Sequence, residues 1–270
     1  MKRVIPIVLV FAFLAGVPLA AGAREYEERD LSGFFRGYHG AFIMLDAGRD
    51  KYVLYNKEQS EKRLSPCSTF KVLNSLIGLE TGVIKDRDFP IKWNGKKYPF
   101  EAWNRDHSLQ SAISNSVVWY YRELASRVGE ERMRKYIRAA GYGNEDISGG
   151  IDRFWLQSSL KISAKEQVDF LYRLFRDELP FSQRSMDITK SIIRLAETDD
   201  FLFHGKTGSG FGEEIDGKPK TILGWFVGCV VRKDQNRAFI FAVNIEAEDG
   251  AGGKKAGEIA ELVLKEMGVF

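Results

Sequence analysis

The order in which two hydrophobic periodicities follow one another most constrains the fold of this chain. Residues 40–46 and 51–56 are short apolar runs separated by Gly48-Arg49-Asp50, a pattern that predicts a β-hairpin. From about residue 68 to 197 the spacing turns helical. Phe70, Leu73, Leu76, Ile77 and Glu80 recur at the period of a helix, with Gly82 as its stop. Val168, Leu171, Tyr172, Leu174 and Phe175 repeat the pattern, as do Met186, Ile188, Ile192, Ile193 and Leu195. Strand-like segments return at residues 201–207, 222–232 and 237–246, and 222–232 is rich in apolar and aromatic residues, as a buried strand should be. An amphipathic helix over residues 255–267 closes the chain, with Ile259, Leu262, Val263 and Met267 on one side. This order implies an α+β protein of two lobes. One antiparallel sheet, flanked by helices, is built from both ends of the chain (about 24–64 and 198–270), and an all-helical insertion (about 65–197) lies between them. The groove between the lobes is the expected site.

The first 23 residues read as a targeting segment outside this single domain of residues 24–270. Lys2 and Arg3 precede an apolar run over residues 4–19, and Ala21-Gly22-Ala23 supplies small residues before a charged stretch. That is the anatomy of a cleaved secretory signal. The competing reading is an uncleaved anchor, since the run approaches the ~20 residues that a span needs, but its small-residue end favours cleavage. No cysteine follows the run, which argues against a lipid anchor, and no other segment is apolar enough to span a membrane. The mature protein is therefore expected to be periplasmic or secreted, without a stable membrane anchor.

Composition excludes several classes. With 44% hydrophobic and 29% charged residues over 270 positions, disorder and a disulfide-dense scaffold are ruled out. The net charge of +3 gives no sign of a nucleic-acid partner. Two cysteines, Cys67 and Cys229, cannot build a four-cysteine zinc site. His39, His107 and His204 are too scattered to suggest a metal centre and read as surface or loop residues. No metal is expected.

Two short motifs carry chemistry. Ser68-Thr69-Phe70-Lys71 is a Ser-x-x-Lys element: on a helix, residues three apart share a face, so Lys71 can sit beside the Ser68 hydroxyl. A serine is a poor nucleophile until a neighbouring base takes its proton, and the first helical turn offers unpaired N–H groups to a developing anion. Among 18 serines and 20 lysines, chance supplies about one such pair. A second, Ser158-Ser159-Leu160-Lys161, starts no amphipathic helix and reads as incidental. Lys206-Thr207-Gly208 is far rarer, expected about 0.04 times by chance, and falls at the end of the strand expected over residues 201–207. Gly208 and Gly210 let a ligand approach the backbone there. In this order the two motifs form the signature of penicillin-recognising serine enzymes.

From about residue 40 to 267 the chain resembles the class D (oxacillinase-type) serine β-lactamases. The stretch Ser65-Pro66-Cys67-Ser68-Thr69-Phe70-Lys71 is similar to that family's nucleophile helix, and Ser116-Val117-Val118 replaces the Ser-Asp-Asn of class A. Tyr142-Gly143-Asn144, residues 147–156 with Trp155, and Gly224-Trp225-Phe226-Val227-Gly228 also match. The resemblance implies that Ser68 attacks the lactam carbonyl and that Lys71 reacts reversibly with carbon dioxide to form a carbamate, with no other cofactor. Phe70, Val118, Trp155 and Leu156 would supply an apolar pocket that keeps Lys71 neutral, and the Trp155 indole could donate to the carbamate. It further implies an oxyanion hole from the N–H groups of Ser68 and Ser209, proton relay by Ser116, and capture of the substrate carboxylate by Lys206 and Thr207. Tyr142 and Asn144 are expected to shape a loop, and Cys67 to be a structural thiol.

One departure stands out. The family's arginine near the start of the last helix, a two-pronged carboxylate clamp, aligns with Ala256 or Gly257, leaving Lys254 or Lys255 as poorer substitutes. Weaker substrate binding or an altered substrate range is expected. The resemblance also leaves two alternatives: a penicillin-binding sensor that stays acylated, or a penicillin-inhibited cell-wall peptidase. The expected partner is a small-molecule β-lactam, and the protein is a monomer or homodimer.

Overall fold

The computed structural model describes residues 24–215, 218–235 and 237–270; the segment expected to be a signal, residues 1–23, lies outside them. The strands of the main sheet are β1 (Glu25–Glu28), β2 (His39–Asp46), β3 (Lys51–Tyr55), β6 (Arg194–Glu197), β7 (Phe201–Ile215), β8 (Lys218–Arg232) and β9 (Arg237–Glu246). They pair in the order β1-β3-β2-β9-β8-β7-β6, so both ends of the chain build one sheet. Between β3 and β6 run α1 (Lys57–Glu61), α2 (Lys71–Glu80), a two-stranded ribbon of β4 (Pro90–Ile91) and β5 (His107–Ser108), then α3 (Leu109–Ser114), α4 (Val118–Val128), α5 (Glu130–Ala140), α6 (Ala164–Phe175) and α7 (Gln183–Ile192). The chain closes on α8 (Gly253–Glu266).

Both faces of the sheet are covered, and strand alternation decides which residue serves which side. On β2, Ile43 and Leu45 face the core shared with the helical lobe, while Phe42 and Met44 face the core under α8. A strand covered on both sides reads as a continuous apolar run, which is why the hairpin was legible. α8 packs Ile259, Ala260 and Val263 on its own face of the sheet, each large side chain contributing about 1.5–3 kcal/mol by burial. α2 differs from an ordinary surface helix: every residue from Lys71 to Leu79 is buried, because α4, α5 and α7 pack around it.

The structure corrects several expectations. The sheet is mixed, since β1 pairs with β3 in parallel. Leu195, expected to continue the helix of α7, belongs to edge strand β6 and is 56% exposed. Lys206-Thr207-Gly208 lies in mid-strand, because β7 continues to Ile215 in an antiparallel ladder with β8. Leu262 points to solvent from α8. His107 and His204 are buried, with His107 bonded to Ser111 and the Ala102 carbonyl and His204 packed edge-on against Phe175; only His39 is exposed.

Candidate active site

Ser68 lies in a 3-10 turn, Cys67–Phe70, that runs directly into α2. In such a turn residues three apart eclipse one another, and Lys71 Nζ accordingly sits 2.6 Å from Ser68 Oγ. Lys71 is wholly buried, 3.2 Å from Ser116 Oγ and 5.6 Å over the Tyr121 ring. Burial, and then the nearby Lys206 charge, push its pKa well below the ordinary lysine range. Burial therefore disfavours the charged form of the amine beside the nucleophile.

Ser116 is supplied by the turn between α3 and α4, where its φ of 52° is left-handed. Cys67 and Gln157 are also left-handed, at 49° and 53°. Non-glycine residues held there store of order 1–3 kcal/mol of strain, as functional sites often do. Lys206 Nζ donates to Ser116 Oγ at 3.1 Å and to the Thr207 carbonyl at 2.9 Å, and burial pushes its pKa down to about 7. Ser68, Lys71, Ser116 and Lys206 thus form a continuous polar chain. β7 can pass so near because residue 208 is glycine: a Cβ there would lie 3.0 Å from the Pro66 carbonyl oxygen and 3.3 Å from Ser68 N. The resulting groove, about 200 Å³, is lined by Ser68, Ser116, Val118, Thr207, Gly208 and Ser209.

Trp155 is fully buried and stacks on Phe70 at 5.4 Å. Its carbonyl accepts from Ser65 Oγ at 3.0 Å, and Ser65 O in turn accepts from Trp225 Nε1 at 2.8 Å. Among the described residues Trp155 Nε1 has no acceptor. Leu156 is half-buried beside it. Tyr142 packs edge-on against Phe70 at 5.8 Å, and its hydroxyl reaches Gln167, which donates to Thr69 at 2.7 Å. Asn144 ties the following loop to the Ser159 carbonyl and the Lys161 N–H, both at 2.9 Å. Both residues therefore hold the framework, as expected. The Cys67 thiol is buried and pushed up to about 11, so it keeps its proton. The Ser158–Lys161 pair lies in an irregular loop.

Neither proposed substitute for the arginine reaches the groove. Lys254 is exposed, and Lys255 is paired with Glu258 at 2.7 Å. Ala256 and Gly257 are buried at the α8–sheet contact. Sequence reasoning also missed Tyr121 beneath Lys71, Gln157, and the aromatic residues Phe100, Trp103 and Phe211 that line the groove. Gln157 Nε2 donates to the Phe211 carbonyl at 2.9 Å and fastens the Trp155 loop to β7. Tyr121 was accessible in principle, three residues after Val118 on the same helical face.

Residues 36–265 match the family model described as the penicillin binding protein transpeptidase domain. The probable β-lactamase YbxI of Bacillus subtilis (strain 168) is 39% identical, over 100% of this chain and 99% of that protein. The solved structure of class D β-lactamase BAT-2 superposes with a TM-score of 0.81 at 40% identity, covering 90% of this chain and 97% of that one. The chain belongs to the class D serine β-lactamase family. Its serine, lysine and Lys-Thr-Gly elements converge on one groove, as the family signature requires. The class D frame also extends to a receptor: the C-terminal domain of the Bacillus licheniformis BlaR penicillin-receptor superposes with a TM-score of 0.84 at 38% identity, over 92% of this chain and 98% of that one.

Proposed function

We propose that this protein hydrolyses β-lactams through an acyl-enzyme on Ser68, with Lys71 working as its carbamate. The observation that carries the reading is the wholly buried Lys71 amine 2.6 Å from Ser68 Oγ, its charged form disfavoured by desolvation. Two features fit a carbamate. Desolvation favours the uncharged amine, the form that attacks carbon dioxide, and among the described residues the buried Trp155 N–H lacks an acceptor. Trp155 and Ser68 would hold the group. When bound, it supplies an oxygen base for forming and for hydrolysing the acyl-enzyme.

The chain's own residues do the rest. Lys206 and Thr207 draw the substrate carboxylate into the groove and hold it against β7. Ser68 gives up its proton toward the Lys71 terminus, and Oγ attacks the lactam carbonyl. The Ser68 N–H, among the first of its helical turn and without an intrahelical acceptor, and the Ser209 N–H stabilise the oxyanion. As the C–N bond breaks, Ser116 Oγ protonates the leaving nitrogen, and Lys206 Nζ, 3.1 Å away, restores that proton. Turnover should fall in carbonate-depleted buffer and recover on adding bicarbonate. Activity indifferent to bicarbonate would overturn the carbamate.

The likeness to the BlaR receptor domain favours a second reading, a sensor that acylates and stays acylated. The two part only at deacylation. We also infer that residues 1–23 direct export, so the enzyme works in the periplasm or outside the cell. The charged and apolar order of that segment supports this, and among the described residues no helix is long and apolar enough to cross a membrane. N-terminal sequencing of the exported protein should begin at Arg24.

A further inference from the structure

Gln157 stands two residues beyond Trp155 and treats β7 as a neighbouring strand would. β6 pairs with β7 only at residues 202–204, so past them that edge of β7 has no strand beside it. The Gln157 side chain covers part of the open edge. Its Nε2 donates to the Phe211 carbonyl at 2.9 Å, and its Oε1 accepts from the Phe211 N–H at 2.5 Å. One amide thus satisfies both backbone groups of a single strand residue, the exchange that an antiparallel partner makes. The fit depends on residue 210 being glycine: a Cβ there would lie 3.1 Å from Gln157 Cδ and 3.3 Å from its Nε2.

The backbone of Gln157 is held as firmly as its side chain. Its φ of 53° is left-handed, which a non-glycine residue keeps only where its surroundings over-determine it. Ser65 supplies that constraint. Its hydroxyl accepts from the Gln157 N–H at 2.9 Å and donates to the Trp155 carbonyl at 3.0 Å. Trp155 in turn stacks on Phe70, the residue before Lys71. Earlier in the loop, Asp152 is tied to Arg122 of α4. Among the described residues the two bonds of the Gln157 amide are the only hydrogen bonds from residues 147–160 to β7. Phe211 lines the groove, so one side chain joins the groove's rim to the loop that carries Trp155.

We propose that Gln157 is a positioning residue for the carbamate on Lys71: by latching the Trp155 loop to β7, it holds the unpaired Trp155 N–H where the carbamate needs a donor. This rests on the carbamate reading above. Gln157 acts through Trp155 and takes no part in proton transfer.

Titration with isotope-labelled bicarbonate, followed by the NMR signal of the carbamate carbon, reads the effect directly. Gln157→Leu keeps the bulk of the side chain and loses both amide bonds. It should raise the half-saturating bicarbonate concentration about tenfold, and turnover should return to the wild-type rate once bicarbonate saturates. Gly210→Ala, which crowds the same amide from β7, should shift the half-saturation in the same direction. An unchanged half-saturation in either variant, or turnover of Gln157→Leu that saturating bicarbonate does not restore, would overturn the proposal. A wild-type protein with no carbamate signal and no response to bicarbonate would overturn the carbamate reading itself, a result distinct from either.

Discussion

At the residue scale the site is organised by two lysines that burial has stripped of their ordinary basicity. Lys206 carries its charge below about pH 7 and loses it above, so the Michaelis constant for an anionic penicillin should rise as pH climbs through about 7. A constant that is flat over about pH 6 to 8 would contradict that assignment. Lys71 is a desolvated amine that folding would rather not contain. Lys71→Met should abolish acylation and yet stabilise the protein by about 1–2 kcal/mol in urea unfolding; loss of stability would contradict this. Trp155→Phe keeps the stacking on Phe70 but removes the N–H, and should raise the bicarbonate concentration needed for activity. Ser68, Lys71 and Lys206 were legible because their chemistry is written in contiguous motifs. Gly253 was not, because it meets the site from an element remote in sequence.

At the element scale, the decisive contact is the α8 terminus against β7. Gly253→Ala places a methyl group against a backbone carbonyl. Overpacking of that kind costs about 1–3 kcal/mol, which urea unfolding would register, and unchanged stability would mean that α8 does not seat this closely. The elements read correctly from sequence were those with strong apolar periodicity: the β2–β3 hairpin, displaced by one residue at two ends, the helices α2 and α6, and β9, which alone matches at both ends. Those misread lacked it. β1 is a nearly continuous acidic run and β6 is exposed along its whole length, so neither shows alternation. The outer half of β7 is rich in glycine and acidic residues, and only its ladder with β8 keeps it extended. α8 was found, but Leu262 was put on the wrong face: the buried stripe runs through Ala256, Ile259, Ala260, Val263 and Leu264, with small alanines that carry little apolar signal, and Leu262 lies to one side of it.

At the scale of the whole molecule, a sheet closed by both chain ends grips a helical lobe, and the groove lies where the two meet. That architecture buries His204 on β7 beneath Phe175. Burial, and then the Arg194 charge, push His204 down to about 4 from the usual 6.5. The unfolded chain therefore binds a proton that the folded one refuses. Its contribution is fully present above about pH 6.5 and is lost as pH falls to about 4, amounting to about 3 kcal/mol. Urea unfolding should show this slope, and His204→Gln should flatten it; an unchanged slope would assign the acid sensitivity elsewhere. The near-neutral net charge of +3 leaves attraction of an anionic substrate to local groups such as Lys206. The central claim is that Ser68 is acylated and then released. Nanomolar protein mixed with a chromogenic cephalosporin tests it most directly. Steady hydrolysis of many equivalents is the predicted result, and a single burst of one equivalent per protein would contradict it.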